Sequence, residues 1–458
     1  ISVVNNVKSI VLTDTNTGVM SVTAKQLLSQ GGAALTSKMN LGGVNKISLK
    51  VADVLAKDLA AVRLNPRVSK FSVRDTSTNI ANKMEVLSAG LGKLEDIQVS
   101  NSVVPLKLTT TQYLNYKNTV LDHFSGTYGL EISGASTTQA LDISGDDNVS
   151  SISIVDHAQN IVDHLDDLQL IGLKVKSVTS DNGNLLKLSA DQLQKDGAII
   201  GKLYKGYQLS VFNLDASSAL AVKSNKKIVS IDVVDTAANI SKHLSIFNRM
   251  GSQLHSLQLS DNNSLGMSAR EYFGYGTLLS KVVDFAHKPL AGGAPTTPAV
   301  GNNNYKVNIT DSRAVDAEAL KTDGHISAIS VSDTSSAIAV NLDDLNVNSL
   351  VQNIKLSGTG TILDISANQW TADTDVIDLL KLQNGNLKFN VRGVLAADAY
   401  GLISTSDNRI ASVSISDSGE NIVTSLTDLA TLGKSLVSIT QTDARRPNDP
   451  GHSLELSA

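Results

Sequence analysis

The stretch Ile152-Ser-Ile-Val-Asp156-His-Ala-Gln-Asn-Ile161-Val-Asp-His-Leu165-Asp-Asp-Leu168 sets two different periods end to end. Up to Asp156, apolar and polar residues alternate, the mark of a strand with one buried face. Beyond it, Ile161, Leu165 and Leu168 stand at i, i+4 and i+7, one face of a helix about three turns long. Asp156 sits at the junction, placed as an N-cap whose carboxylate accepts from free N–H groups of the first helical turn.

This text recurs. Phe71-Ser-Val-Arg-Asp75, Ile231-Asp-Val-Val-Asp235, Ile329-Ser-Val-Ser-Asp333 and Val413-Ser-Ile-Ser-Asp417 repeat the strand, and Ile80, Ile240, Ile338 and Ile422 repeat the first helical apolar residue. The Asp-to-Asp steps are 81, 79, 98 and 84 residues. A further alternating strand begins at Ile97, Val178, Leu257, Ile354 and Ile439, 21 or 22 residues past each Asp. A short strand then runs into a capping box, Thr23…Gln26, Thr109…Gln112, Ser189…Gln192, Ser268…Glu271 and Ser366…Gln369. There the hydroxyl accepts from the third helical amide and the Gln or Glu side chain returns to the cap. A third signature, Tyr207-Gln-Leu-Ser-Val211, Tyr305-Lys-Val-Asn-Ile309 and Leu387-Lys-Phe-Asn-Val391, closes the unit before an Ala-rich stretch.

One unit of about 80 residues is thereby read as three strand-plus-helix coils. The phase divides the chain into a partial repeat 1–62, repeats 63–143, 144–222, 223–320 and 321–400, and a partial repeat 401–458. Both ends are expected to cut through a unit. Strand and helix alternate over short connections, so parallel strands are the default. The expected fold is an α/β repeat, an elongated β-solenoid-like stack of strand-plus-short-helix coils. The alternative is a string of α+β domains with hairpins such as 177–180 on 185–188 across Ser180-Asp-Asn-Gly183. A Pro- and Gly-rich insertion at 284–303 and the segment Arg445-Arg446-Pro447 interrupt the period and are expected as surface loops.

Composition narrows the function. The 458 residues are 41% hydrophobic and 18% charged, enough to bury a core, and the net charge of −5 offers no basic face for nucleic acid. Aromatics make up only 4%, which suits many small similar turns. With no Cys, disulfides, thiolate metal sites and cysteine nucleophiles are all excluded. No apolar run approaches the ~20 residues of a membrane span.

Strings such as Asp235-Thr-Ala-Ala-Asn-Ile240, Leu165-Asp-Asp-Leu168 and Ser180-Asp-Asn-Gly-Asn-Leu-Leu-Lys-Leu-Ser-Ala-Asp-Gln-Leu193 resemble repeats of very large bacterial exoproteins. These are the type I-secreted, RTX-like adhesins, S-layer-like proteins and haemolysin-type proteins. The resemblance implies a secreted, cell-surface repeat protein of a Gram-negative bacterium. The partners it implies are other copies of itself, end to end or laterally, and the cell surface or extracellular matrix. The Gly-Gly-x-Gly-x-Asp nonapeptide that binds calcium in that group is absent, since neither Gly31-Gly32 nor Gly292-Gly293 continues it. Calcium stays a candidate only for acid pairs, and no other cofactor is expected.

Catalytic patterns fail on spacing. Asp75-Thr-Ser77, Asp333-Thr-Ser335 and Asp417-Ser-Gly419 look like aspartic-protease triplets, but that chemistry needs two carboxylates sharing a proton. Gly197-Ala-Ile-Ile-Gly201-Lys202 is one residue short of a phosphate loop, and Gly433-Lys434-Ser435 has Asp428 where the first Gly should be. His164 and His243 are equivalent surface positions rather than converging ligands. The pairs Asp146-Asp147, Asp166-Asp167 and Asp343-Asp344 read as solvated faces unless turns from neighbouring coils converge on them. No catalytic residue is assigned. The ten helix caps Asp75, Asp156, Asp235, Asp333, Asp417, Thr23, Thr109, Ser189, Ser268 and Ser366 are the expected structural set, in a non-enzymatic surface protein. A glycan- or ligand-binding module using the 284–303 insertion or a concave face is the alternative.

Overall fold

An alternating strand that buries one face needs a neighbour on each side, and a short helix returns the chain to start the next one in parallel. The computed structural model describes residues 6–12, 19–41, 45–287, 304–404 and 408–443. The chain divides into two compact units, Ile1–Val211 and Phe212–Ala458.

The first unit holds two parallel sheets. One runs, in spatial order, Val19–Thr23, Ser48–Val54, Val68–Asp75, Leu94–Val99 and Phe124–Ser125. The other runs Leu106–Thr109, Leu130–Ala135, Val149–Asp156 and Val175–Ser180. The second unit repeats the plan in Leu265–Ser268, Val307–Ser312, Ile326–Asp333 and Val351–Leu356, and again in Ile362–Ser366, Lys388–Val394, Ile410–Asp417 and Leu436–Gln441. Its strand Ile228–Asp235 pairs in parallel with Leu254–Leu259, which pairs with Val282–Val283. The short pairing of Met39–Leu41 with Asn45–Lys46 is antiparallel.

Apolar residues meet in rows across these sheets. Leu108 pairs with Ile132, Ile132 with Ile152, and Ile154 with Val178. All are essentially inaccessible, as are Ile161, Leu165 and Leu168 on the helical side. The two periods of the opening stretch thus fill one core.

Two expectations change. The hairpin alternative fails, because Val175–Ser180 and Leu185–Ser189 lie in different sheets and the turn between them carries the chain from one sheet to the next. Apart from the small sheet of Ile10–Leu12, Met39–Leu41 and Asn45–Lys46, each sheet has four or five strands, long or short, in place of three coils. The four-residue capping-box strand, such as Leu106–Thr109, pairs as a coil of its own. A sheet therefore begins at its box strand, whereas the repeat was counted from Asp to Asp. The insertion 284–303 lies outside the described residues except for Asp284–His287, and the Arg445-Arg446 segment lies wholly outside.

A bulge recurs one residue before the end of the second strand. Asp53, Gly134, Asn213 and Gly393 there have φ of 51°, 75°, 60° and 73°. Gly, Asn and Asp are the types that enter this left-handed region at least cost. The extra residue shifts the register against the Asp strand, as between Ser133 and Ala135. Three residues later comes the backbone amide that the Asp strand captures.

Candidate functional face at the strand carboxyl ends

In open parallel sheets, ligands bind beyond the carboxyl ends of the strands. Here that end carries the five repeated Asp residues, and all five are engaged with a neighbouring coil. Asp156 Oδ2 accepts from the Thr137 amide at 2.8 Å and the Thr137 hydroxyl at 2.7 Å, 19 residues upstream. Asp75 takes the Ala56 amide at 2.8 Å, Asp235 the Ala216 amide at 2.9 Å, Asp333 the Ala314 amide at 3.0 Å and Asp417 the Ala396 amide at 2.9 Å. These amides open the helix or turn that follows each bulge. The second oxygen takes the amide of the next residue, at 2.8 Å for His157 and 2.7 Å for Thr76. Asn79, Asn160, Asn239 and Asn421 add a side-chain bond from four residues on.

The five Asp residues are therefore not the helix N-caps expected for them. The caps are the following residues, Thr76, His157, Thr236, Thr334 and Ser418. Four of these accept from the third helical amide through their hydroxyls, and His157 makes no side-chain cap bond. The physical reason is position: each Asp is the last residue of its strand, one residue before the cap, so one oxygen reaches the preceding coil and the other holds the amide of the capping residue itself. Thr23, Thr109, Ser189, Ser268 and Ser366 do cap their helices, each in a closed box with Gln or Glu. Gln192 and Gln369 also donate from Nε2 to Val162 O and Ala339 O, so one side chain closes the box and bridges two coils.

The electrostatics follow this geometry. Burial pushes the Asp156 carboxyl up, but the Thr137 amide, Asn160, the Thr137 hydroxyl and the His157 amide outweigh it and hold it at about 2. Asp75 and Asp235 are lowered in the same way, their bonds overcoming burial, and Asp417 is lowered chiefly by Asn421. Carboxylates held ionised by separate amides are the opposite of a protease dyad sharing one proton. A second ladder extends the pattern: Asn101, Asn182, Asp261 and Asp443 accept from Ser77, Ala158, Ala237 and Gly419, each 24 residues earlier. The amides an incoming anion would need are already taken.

At the opposite end of the strands, cations and amides close the carbonyls of the preceding coil. Lys174 Nζ donates to Ser144 O at 2.7 Å and Asp146 O at 2.8 Å. Lys93 does the same to Arg63 O and Asn65 O, Lys281 to Gly251 O and Leu254 O, and Gln253 through Nε2 to Lys223 O and Ile228 O. A positive or donor group there also complements the helix dipole. Lys174→Met is expected to lower the stability of the first unit by about 2 kcal/mol, while Lys174→Gln retains most of it, since Gln253 already fills this role. Urea unfolding of the two variants measures the difference.

Other groups singled out by sequence do not converge. His164 Nδ1 bonds its own helix at Asn160 O, and His243 stands edge-on to Phe247. Gly197–Ile200 is a short helix and Gly433–Ser435 a single 3₁₀ turn, neither shaped as a phosphate loop. Asp146 accepts from the Tyr113 hydroxyl at 2.9 Å, and burial followed by that carboxylate pushes the phenol up to about 12. Sequence reading missed one cluster, Asp232 with His255 and Ser256. Both donors bond Asp232 Oδ1, so the hydroxyl is on the carboxylate rather than the imidazole, and no nucleophile–base relay exists.

Asp166 and Asp343, each from an acid pair, meet a buried partner in the next coil, Asp196 and Asp373. These partners carried no sequence signal of their own. Among the described residues no three His, Asp or Glu side chains gather as a metal site, and no helix is long and apolar enough to cross a membrane. A surface groove of about 750 Å³ in the second unit is lined by Arg270, Phe273, Asp311, Arg313 and Asp316. No protein-family model, curated protein sequence or solved structure matches this chain.

Proposed function

We propose that the chain is a non-enzymatic, secreted cell-surface repeat protein, whose coils stack as an elongated β-solenoid serving as an adhesin stalk, surface-layer unit or fibre subunit. One observation carries this reading: the recurring Asp at the carboxyl end of every Asp strand is engaged in bridging to the adjacent coil. The position where α/β enzymes keep their chemistry here holds one coil to the next. A carboxylate bonded to amides 19 or 21 residues away specifies the distance between successive strands, which is what a long array needs. Self-association, end to end or laterally, is the part of this reading that a stack with open strand edges would support. Electron microscopy and small-angle scattering of purified protein, over a concentration series with and without calcium, test it. Rods that lengthen with concentration are expected; compact particles of one size under all conditions would sink the reading, as would turnover in a polysaccharide hydrolase or lyase screen.

A second reading, a glycan-binding surface, has the 750 Å³ groove in its favour. Phe273 is exposed there beside Arg270 and Asp311, an aromatic face with charged groups around it. Glycan-array binding that survives Phe273→Ala would remove this support.

A further inference from the structure

The inference concerns the two carboxyl pairs and stands apart from the proposed function. Asp196 is 1% exposed and Asp373 5% exposed, and in each the Oδ2 atom is buried with no hydrogen-bond partner among donors of the chain. Each begins a helix, Gly197–Ile200 and Thr374–Gln383, yet caps no amide with its side chain. Each instead faces the carboxyl group of an Asp 30 residues earlier, Asp166 on the helix Leu165–Leu170 and Asp343 on the helix Leu342–Asn346. Asp166 and Asp343 are exposed on their helices, but each brings a second negative charge against a buried carboxylate, and the orphaned oxygen of the buried partner costs a lost hydrogen bond; one proton held between the two removes both penalties.

The repeat supplies a control. Seven residues past the box caps Thr23, Thr109, Ser189, Ser268 and Ser366 stand Gln30, Tyr116, Asp196, Tyr275 and Asp373. Where the position is not Asp it is Gln or Tyr, an uncharged hydrogen-bond donor at neutral pH. A protonated Asp is the same kind of group. We propose that Asp166–Asp196 and Asp343–Asp373 are proton-sharing acid pairs that bolt neighbouring coils together, so that the array is tightest in mildly acidic surroundings and loosens as each pair loses its proton.

The surroundings reinforce this. Asp191 on the helix Ala190–Lys195 adds negative charge beside Asp196, Lys195, engaged by Asp191 at 2.7 Å, partly offsets it, and Asp167 lies on the helix of Asp166. Around the second pair stand Asp344, Asp375 and Asp378, with Lys381 engaged by Asp378 at 3.6 Å and Lys355 on the underlying strand. Burial first, then Asp166, pushes Asp196 up to about 6; burial, then the bond to Asp343, pushes Asp373 up to about 7. A raised carboxyl means that the folded chain binds more protons than the unfolded one between pH ~4 and ~7. Its stabilisation is complete at the acidic end of that window and is lost as pH rises through about 6 to 7.

Thermal unfolding of the full chain at pH 5.5 and 8.0, in EDTA, tests the pairs, with Asp196→Asn/Asp373→Asn as the variant that carries a permanent neutral donor. The wild type is expected to lose on the order of 5 °C of Tm over this range, and the variant to match it at pH 5.5 and exceed it at pH 8.0. His157, raised by its bond to Asp181, titrates in the same direction, so His157→Gln is included and leaves the contrast between wild type and Asn variant intact. An Asn variant whose Tm falls as steeply as that of the wild type overturns the proposal. So does millimolar calcium that raises the wild-type Tm at pH 8.0 and not the variant's, which would make a divalent cation the occupant. Should the variant not fold, ¹³C-carboxyl titration of Asp-labelled wild type decides: two resonances with midpoints near 6 and 7 support the pairs, and midpoints all below 5 overturn them.

Discussion

Asp156→Ala is expected to destabilise the first unit by about 3 kcal/mol, a fall in Tm of roughly 10 °C for a domain of this size. The substitution removes one carboxylate and leaves two backbone amides, the Thr137 hydroxyl and the Asn160 amide without their acceptor. The Thr137 amide and its hydroxyl are buried, so water does not replace what is lost. Asp156→Asn keeps the shape and exchanges an ion for a neutral acceptor, and is expected to cost about half as much. The pH dependence identifies the cause. With its carboxyl held at about 2 against 3.8 when unfolded, Asp156 contributes stability that is present above pH ~4. That contribution, about 2 kcal/mol, is lost as pH falls from 4 through 2. Between pH ~4 and ~2 the wild type should therefore lose stability more steeply than Asp156→Ala, which starts less stable at pH ~5 and has the flatter curve in this window. Equal acid slopes for wild type and Asp156→Ala would show that the bridge is not what acid breaks.

Phe247→Ala should have the largest effect in the second unit, about 4 kcal/mol. Phe247 is among the largest fully buried side chains and stands where the other repeats carry Leu87, Leu168, Leu345 and Leu429. Truncation leaves a void beneath the helix Leu244–Met250 and removes the ring that His243 meets edge-on. Because four other repeats close the same position with Leu, Phe247→Leu should cost only about 1 kcal/mol. Hydrogen exchange should place the loss in peptides spanning 228–259, since each coil packs mainly on its neighbours. Uniform loss of protection over both units would contradict a repeat-like distribution of stability.

Much of the architecture was legible because it is periodic. Alternation up to Asp156 predicted the strand, and the i, i+4, i+7 set predicted the buried apolar face, but the expected three-turn helix is two short ones, Ala158–Asp163 and Leu165–Leu170, broken at His164. The capping boxes were equally plain, since Thr109 and Gln112 are three residues apart and bond within one turn. The role of the Asp residues was not. A local cap and a bridge to a coil 19 residues back call for the same residue at the same place, and only the direction of the side chain separates them. The signal that would have distinguished them is the Gly, Asn or Asp three residues before each captured amide, as at Gly134 before Thr137 and Asn213 before Ala216. The acid pairs were half visible, because Asp166-Asp167 and Asp343-Asp344 are conspicuous whereas Asp196 and Asp373 are single residues in unremarkable text.

By itself, then, the sequence determined which segments are strands and helices, that they recur, and which hydroxyls close which first turns. Those outcomes depend on bonds reaching three or four residues along the chain. Only the tertiary structure decided that the repeated Asp residues tie coil to coil, that the turn Ser180–Gly183 changes sheets rather than making a hairpin, and that two buried carboxyls each meet the carboxyl of an exposed Asp on the preceding helix. Each of these joins residues that are about 20 to 30 positions apart, and the register, with its bulge, selects which of them meet.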